Sequence, residues 1–410
     1  MDDIKTDRSL PHSFMVGVLG ILSGAIWNGP LWFIVFIIFV PIIWFTLRTY
    51  ESVIFIFSYY LFSLKSLPIL LSRYDNDYSH EYFLKFILWW ILYASFLALP
   101  WVIVKIILYK SNPSPWIESI TPIIPLIVGL IPPFYVFGVA NPVEGAGIFF
   151  PGMGLLGIFI YFVIIIIMSV IINKTVKIRL VYPLVGLILF SIYCNENFKQ
   201  PLPPKNWVAV STQLAPQTNQ SEIHKKYIFL LNLLKRLIDN GYHVIVLPEN
   251  AIGLLQQKTK NMWDKIGDYA KARNVTILSG AVILDSQKNN KQLDGGIVAF
   301  GKESGVVYLT RQPVPFTEWI PFSEKGERVH WFSKGIHSFY HLNVEFLVCY
   351  EELLPGLVIS PFLSLDKPNL LISVANNWMG KGTGERHEQL DSVLVLSRLF
   401  GIPLIRSWNR

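Results

Sequence analysis

Residues 343–355 read NVEFLVCYEELLP, and this stretch decides the fold of the C-terminal half. Phe346, Leu347 and Val348 form an apolar run suited to a buried strand. The run delivers Cys349 to its end; Tyr350 and Glu351 follow, and Leu353-Leu354-Pro355 offers a helix start. A thiol at the tip of a strand that turns into a helix projects into a cleft, where the next backbone N–H can stabilise an oxyanion. A lone cysteine also fits a small buried hydrophobe, so the surrounding elements must decide between the two.

Upstream, Trp207–Thr212 reads as a strand. Residues Ile223–Asn240 form an amphipathic helix with Ile228, Leu231, Leu234 and Ile238 on one face, closed by Gly241. Val244–Leu247 is a buried strand running into Pro248-Glu249-Asn250. A helix near Met262–Arg273 leads to strands at Val275–Leu284, Gly296–Phe300 and Val306–Leu309. Downstream lie a strand at Leu370–Ala375, a helix near Arg386–Phe400 and a last strand at Pro403–Ser407. This alternation specifies a layered α/β domain. Glu249 and Cys349 both end buried strands, and strand ends at one sheet edge share a cleft. A carboxylate beside a thiol serves as general base and then as proton donor to a leaving group.

The N-terminal half has another character. Of the 410 residues, 52% are hydrophobic and 15% charged, against about 25% charged in ordinary soluble proteins. Residues 1–200 carry 12 Lys/Arg and 10 Asp/Glu, and residues 201–410 carry 23 and 18. That is a membrane domain (residues 1–199), a Pro-rich linker (200–205) and a soluble domain (206–410). Seven stretches approach the ~20 apolar residues of a spanning helix: Phe14–Trp27, Leu31–Leu47, Val53–Leu71, Leu84–Leu108, Ile120–Val139, Gly152–Ile172 and Leu180–Cys194. The first and last are short, so six spans remain an alternative. With Lys5 and Arg8 inside, the inside loops hold Arg48, Lys110, Lys174, Lys177 and Arg179. The outside loops hold Asp75, Asp77, Glu81 and Glu144, with Arg73 the exception. Seven spans then place the soluble domain on the far, periplasmic side of a bacterial inner membrane. The retained first apolar run lacks a cleavage site and reads as a helix, not a signal peptide.

Several function classes are excluded. A net charge of +7 with no basic run interleaved with aromatics does not support nucleic-acid binding. Cys194 and Cys349 are the only cysteines, too few for a disulfide framework or a Cys-based zinc site. His337 and His341 lack a third ligand, so no metal and no cofactor is expected. Gly152–Gly157 fits GxGxxG but opens a membrane helix, where small residues serve close packing. Lys65 reads as a snorkelling side chain, and Lys225 and Lys226 as a solvated helix face. Gly380–Gly384 reads as a flexible loop without the ending of a phosphate loop.

Three segments carry a resemblance: Leu247-Pro248-Glu249-Asn250-Ala251, residues 308–319 (YLTRQPVPFTEW) and Cys349-Tyr350-Glu351. They resemble the nitrilase superfamily, and its membrane-bound apolipoprotein N-acyltransferases above all. The string Arg311-Gln312-Pro313-Val314-Pro315 looks closer to the shorter conjugal-transfer proteins called TraB. The resemblance implies a multi-span α-helical membrane domain plus an α/β nitrilase-type (carbon-nitrogen hydrolase) sandwich domain. It implies Glu249 as general base and Cys349 as acyl-carrying nucleophile. Glu318 would be the second glutamate orienting a cation, and Glu351 the essential glutamate after the cysteine. Tyr350 would supply the oxyanion-hole N–H. Asn376-Asn377-Trp378 matches a family segment, and Arg398 and Arg406 stand near family arginines. The implied partners are a phospholipid acyl donor, a lipoprotein or other amine acceptor, membrane lipid and, on the TraB side, conjugation machinery.

Two departures qualify this. Where the family carries its catalytic lysine, this chain has Thr310. Arg311, one position along, is the candidate replacement cation, although a one-residue shift in a regular strand points to the other face and guanidinium is not ammonium. Arg410 also ends the sequence before the further strands of a full nitrilase domain, which fits either a C-terminally short relative or a piece of a longer chain. Three functions remain open: a Cys-dependent acyltransferase, a TraB-like protein whose nitrilase-like domain binds or scaffolds with little or no catalysis, and amide hydrolysis with water as the final acceptor.

Overall fold

The structure is a computed structural model and describes residues 10–75, 80–111, 113–173, 178–214, 220–285, 292–323 and 325–409. The orientation charges Lys5, Arg8, Asp77, Lys174 and Lys177 lie outside these. The chain divides into two compact units. One comprises residues 1–199, 353–357 and 383–401; the other comprises 200–352, 358–382 and 402–410. The helix over Glu385–Phe400 therefore groups with the N-terminal half, which the linear boundary at residue 206 does not convey.

The first unit is helical. Among the described residues, Phe83–Ser111 (29 residues) and Gly154–Ile172 (19 residues) are long and apolar enough to cross a membrane. The pair Thr49–Ser63 and Leu67–Tyr74, bent by 40°, makes a third if it is one span. The other stretches are helical but shorter, as in Leu31–Thr46, or interrupted, as in Pro115–Val128. Leu84, Leu88, Ile103 and Ile107 of the longest helix are exposed, an apolar surface suited to lipid. Small residues bring helices together: a Cβ on Gly20 would strike the Phe55 carbonyl oxygen, and one on Gly157 would meet Leu399 at 3.0 Å. Gly152 and Gly154 serve a turn instead, at φ 78° and 55°, values that favour glycine.

The second unit is built on two sheets. The strands are β1 (Trp207–Ala209), β2 (Val244–Leu247), β3 (Leu254–Leu255), β4 (Thr276–Asp285), β5 (Gln292–Gly301), β6 (Gly305–Leu309), β7 (Ile336–Phe339), β8 (Leu342–Val348), β9 (Leu370–Asn376) and β10 (Leu404–Asn409). The first sheet runs β1-β2-β4-β5-β6, with β3 paired to β4; the second runs β10-β9-β8-β7. Pairs β1–β2, β2–β4, β8–β9 and β9–β10 are parallel, and β4–β5, β5–β6 and β7–β8 antiparallel.

Alternation within the strands decides what meets between the sheets. Val244, Val246, Leu278, Ile297 and Tyr308 of the first sheet share one core with Val344, Phe346, Val348, Ile372 and Ile405 of the second. Helices α1 (Gln220–Asp239) and α2 (Gln257–Lys271) cover the outer face of the first sheet. Their Leu230, Leu234, Trp263 and Ile266 pack with Ile245, Leu247 and Ile277. The parity that buries Ile245 outward and Val246 inward leaves β2 apolar on both faces, as a continuous hydrophobic run requires.

One glycine ties this packing to the loop after β2. A Cβ on Gly280 of β4 would lie 2.5 Å from Glu249 Cα and 3.2 Å from Asn250 N. Gly280→Ala is expected to push that loop outward and cost about 1–3 kcal/mol, the usual overpacking range. A lowered melting temperature together with loss of Glu249-dependent thiol reactivity checks it.

Candidate active site

Cys349 follows β8 and opens a 3-10 turn over Cys349–Leu353. Its φ is 47°, a left-handed conformation that a non-glycine residue adopts at a cost of order 1–3 kcal/mol. The strand-to-turn elbow read from the sequence is therefore present, and the residue keeps part of its surface exposed. Asn250, beside Glu249, is likewise left-handed at φ 55°.

The structure brings Glu249 and Cys349 together: the Cys349 thiol donates to the Glu249 carboxylate, and the Asn376 backbone N–H at the end of β9 also donates to it. Some of the Glu249 surface is exposed, but its Oε2 is shut away from solvent without a hydrogen-bond partner. Burial, then the charge of Glu318, holds the Glu249 carboxyl far above the usual carboxylate range. Glu318 is held by the Val314 N–H on its Oε2 at 3.1 Å, and burial raises its pKa too.

Glu351 has a different task. Its Oε1 accepts from the Arg311 N–H at 2.7 Å, the Gln312 N–H at 3.2 Å and the Tyr308 hydroxyl at 2.9 Å; its Oε2 accepts from the Val348 N–H at 2.7 Å. This fully buried carboxylate joins the end of β8, one residue before Cys349, to the loop after β6. It positions the elbow. Tyr350 is buried, next in chain to the thiol.

Arg311 is 1% exposed. Its Nε donates to the Tyr308 hydroxyl at 3.0 Å, and its Nη2 lies 3.4 Å from Glu345 Oε1. Burial opposes the charge, yet Tyr308, Glu351 and Glu345 outweigh it and hold the guanidinium above its usual pKa. A Cβ on Gly335 would collide with this guanidinium at 2.6 Å. The replacement-cation expectation thus meets a guanidinium engaged with Tyr308 and Glu345, which together with Glu351 form a network that braces the elbow. Thr310 continues the β5–β6 ladder through its N–H to the Gly295 carbonyl at 2.9 Å, and its buried Oγ1 has no partner.

Four contributors escaped the sequence reading. Glu352, fully buried, accepts from Arg406 Nε at 2.6 Å and Nη2 at 2.7 Å, and also from the Ser373 hydroxyl. That fork pins the turn to β9 and β10. Glu345, an acid inside an apolar strand, was a visible signal. Lys226 is not a free solvated side chain: its Nζ donates to the Asn250 carbonyl at 3.1 Å, and burial lowers its pKa to about 8.

Glu327 is the fourth. It donates its N–H to the Glu318 carbonyl at 2.6 Å, and burial, followed by the Glu318 charge, raises its carboxyl to about 8. Between about pH 4.5 and 8 the folded chain therefore keeps a proton that the unfolded chain releases, so stability falls as pH rises through that window. Asp294 is held below its usual value by Arg328 and His330 against the opposing effect of burial, and acts only at lower pH. Glu327→Gln is expected to flatten the decline in melting temperature between pH 5 and 8.

Among the described residues no group of His, Cys, Asp or Glu suits a metal ion. Arg398 donates to Asn195 Oδ1 at 3.0 Å within the helical unit.

No family model matches the chain. It is 25% identical over 408 residues to the probable conjugal transfer protein TraB of Sinorhizobium fredii, covering 97% of this chain and 96% of that protein. It is 22% identical to conjugal transfer protein TraB of Agrobacterium fabrum, covering 86% and 81%. Apolipoprotein N-acyltransferase of Haemophilus ducreyi is 24% identical, over 58% of this chain and 51% of that protein. A carbon-nitrogen hydrolase from Helicobacter pylori of known structure is 15% identical, with a TM-score of 0.37 over 50% of this chain and 73% of that one. With a two-sheet α/β unit and a unit of apolar helices, this chain resembles the TraB proteins over nearly its whole length and the apolipoprotein N-acyltransferases over part of it.

Proposed function

We propose that this chain is a membrane-anchored, Cys-dependent acyltransferase. The observation that carries the reading is the Cys349 thiol, at a left-handed strand tip, donating to the enclosed Glu249 carboxylate. Glu249 takes the thiol proton as Sγ attacks the ester carbonyl of a phospholipid. The tetrahedral intermediate expels the lipid alkoxide, which takes the proton back from Glu249, leaving a thioester on Cys349. An amine then attacks the thioester and releases the thiol. Splitting the transfer in two replaces one difficult step with two easier ones. An apolar helical unit on the same chain suits a lipid donor, with the α/β unit at the periplasmic face of the inner membrane.

The test is transfer of a labelled acyl chain from phospholipid vesicles to an amine-bearing lipopeptide, with the lysophospholipid product measured in parallel. Both products are expected, and both should vanish in Cys349→Ala. Their absence in the wild type overturns the proposal.

The near full-length similarity to TraB proteins, with Thr310 at the lysine position, favours a second reading: a conjugal-transfer component whose α/β unit scaffolds. Conjugation that fails on deleting the gene but survives Cys349→Ala would select that reading.

A further inference from the structure

The carboxyl groups around Cys349 outnumber the cations that answer them. Glu327 and Glu318 both raise Glu249, Glu318 raises Glu327, and Glu351 raises Glu318. Arg311 pairs with Tyr308 and Glu345, Arg328 and His330 pair with Asp294, and Lys226 donates to the Asn250 carbonyl rather than to a carboxylate. Beside the acids is a hydroxyl that has no partner. Thr310 is 3% exposed, and its Oγ1 makes no hydrogen bond. It flanks the same point as Glu327: a Cβ built on Gly295 would run into Glu327 Oε2 and stand 2.9 Å from Thr310 Oγ1. The bare Gly295 lets the Glu327 carboxylate rest against the β5 backbone and accept its N–H. Glu249 Oε2 is the second enclosed oxygen without a partner.

Three crowded acids hold their protons for want of a cation beside them, and the two orphaned oxygens can still accept hydrogen bonds. Acceptors need donors, and buried acids need a positive charge. A primary ammonium brings both: three N–H donors and one charge.

We propose that Glu249, Glu318, Glu327 and Thr310 Oγ1 form a binding site for the primary ammonium of the acyl acceptor. The ligand class is a primary amine, free or at the end of a chain. Its use in turnover rests on the acyl-transfer reading, but its binding does not. The bound ammonium passes one proton to a glutamate and becomes the attacking amine. Its nitrogen bonds to the thioester carbonyl carbon, the C–S bond breaks, and Sγ leaves as thiolate. The thiolate recovers a proton from the new amide nitrogen through Glu249. The first proton leaves the glutamate for solvent. The acceptor thereby supplies, while bound, the cation that the protein lacks beside its nucleophile.

The experiment uses the full chain in lipid nanodiscs with Cys194→Ser, so that iodoacetamide alkylation reports Cys349 alone. Methylammonium, tetramethylammonium and sodium chlorides are compared at equal ionic strength and pH. An opposite charge at this range lowers a pKa by ~1–3 units, so methylammonium is expected to accelerate alkylation saturably by about tenfold or more. Tetramethylammonium, with no N–H, should not. Thr310→Val should weaken the apparent methylammonium affinity, and Thr310→Lys, which carries its own ammonium, should react fast without it. Equal responses to all three salts, or none to methylammonium, would overturn the proposal. The Thr310→Lys arm guards against misfolding, because a gain in rate requires a folded site. Alkylation needs no acyl donor, so a site that binds methylammonium in a chain that never acylates separates failure of this inference from failure of the acyl-transfer reading.

Discussion

Glu249→Gln is expected to lower the rate of Cys349 acylation by about 10²–10⁴-fold, the usual contribution of a positioned general base. The amide keeps the shape of the side chain and can still meet the Asn376 N–H through its oxygen, so the loop after β2 should hold. What is lost is the carboxylate oxygen to which the Cys349 thiol donates. Cys349→Ala removes the acyl carrier and should leave no detectable transfer. The contrast between the two is informative: Glu249→Gln should recover part of its rate as pH rises and the thiol ionises unaided, whereas Cys349→Ala should not respond to pH. Single-turnover acylation from phospholipid vesicles between pH 6 and 9 measures both. A Glu249→Gln rate equal to wild type would remove the base assignment.

Glu351→Ala is expected to cost roughly 3–5 kcal/mol, the range for breaking a buried charged network by deleting one partner. Three backbone N–H groups and the Tyr308 hydroxyl would lose their acceptor. Each buried unsatisfied donor costs ~1–3 kcal/mol before relaxation, so the elbow should collapse or open toward solvent. The Arg311 charge would also lose one of the anions that stabilise it. Glu351→Gln is the milder probe: it retains an oxygen for some of these donors but introduces a donor into an acceptor's place. Thermal unfolding in detergent should rank wild type, Glu351→Gln and Glu351→Ala in that order. Neither variant should support acylation at the wild-type rate if Glu351 sets the position of Cys349.

The sequence disclosed those parts of the architecture that depend on local pattern. Val244–Leu247 and Phe346–Val348 are apolar runs bounded by turn residues, and each became part of a buried strand that leads into Glu249 or Cys349. Gln220–Asp239 carries an apolar stripe and became the helix packed on β2. Features set by distant partners were harder to read. Ile336–Phe339 is a strand because β8 lies beside it, and its four residues show too little alternation to declare it. The pairing of Arg406 with Glu352 spans 54 positions, and no local rule brings them together.

Arg311 illustrates the limit of strand parity. β6 ends at Leu309, so alternation gives no direction for a side chain two residues later, and the guanidinium folds back to Tyr308. In the helical unit, the stretch from Ile120 to Val139 is apolar enough to suggest one span. Pro122, Pro125, Pro132 and Pro133 break its ladder, and short helices result. Hydropathy measures whether lipid would accept a segment, not whether its backbone runs straight.

Acyl transfer through Cys349 requires that the thiol carry an acyl group. Mass spectrometry of the protein extracted from cells in mild detergent tests it most directly, comparing wild type with Cys349→Ala before and after hydroxylamine. The expected result is an added fatty-acyl mass on the peptide containing Cys349, removed by neutral hydroxylamine and absent from the variant. An unmodified Cys349 in wild-type protein, even after incubation with phospholipid, would contradict it.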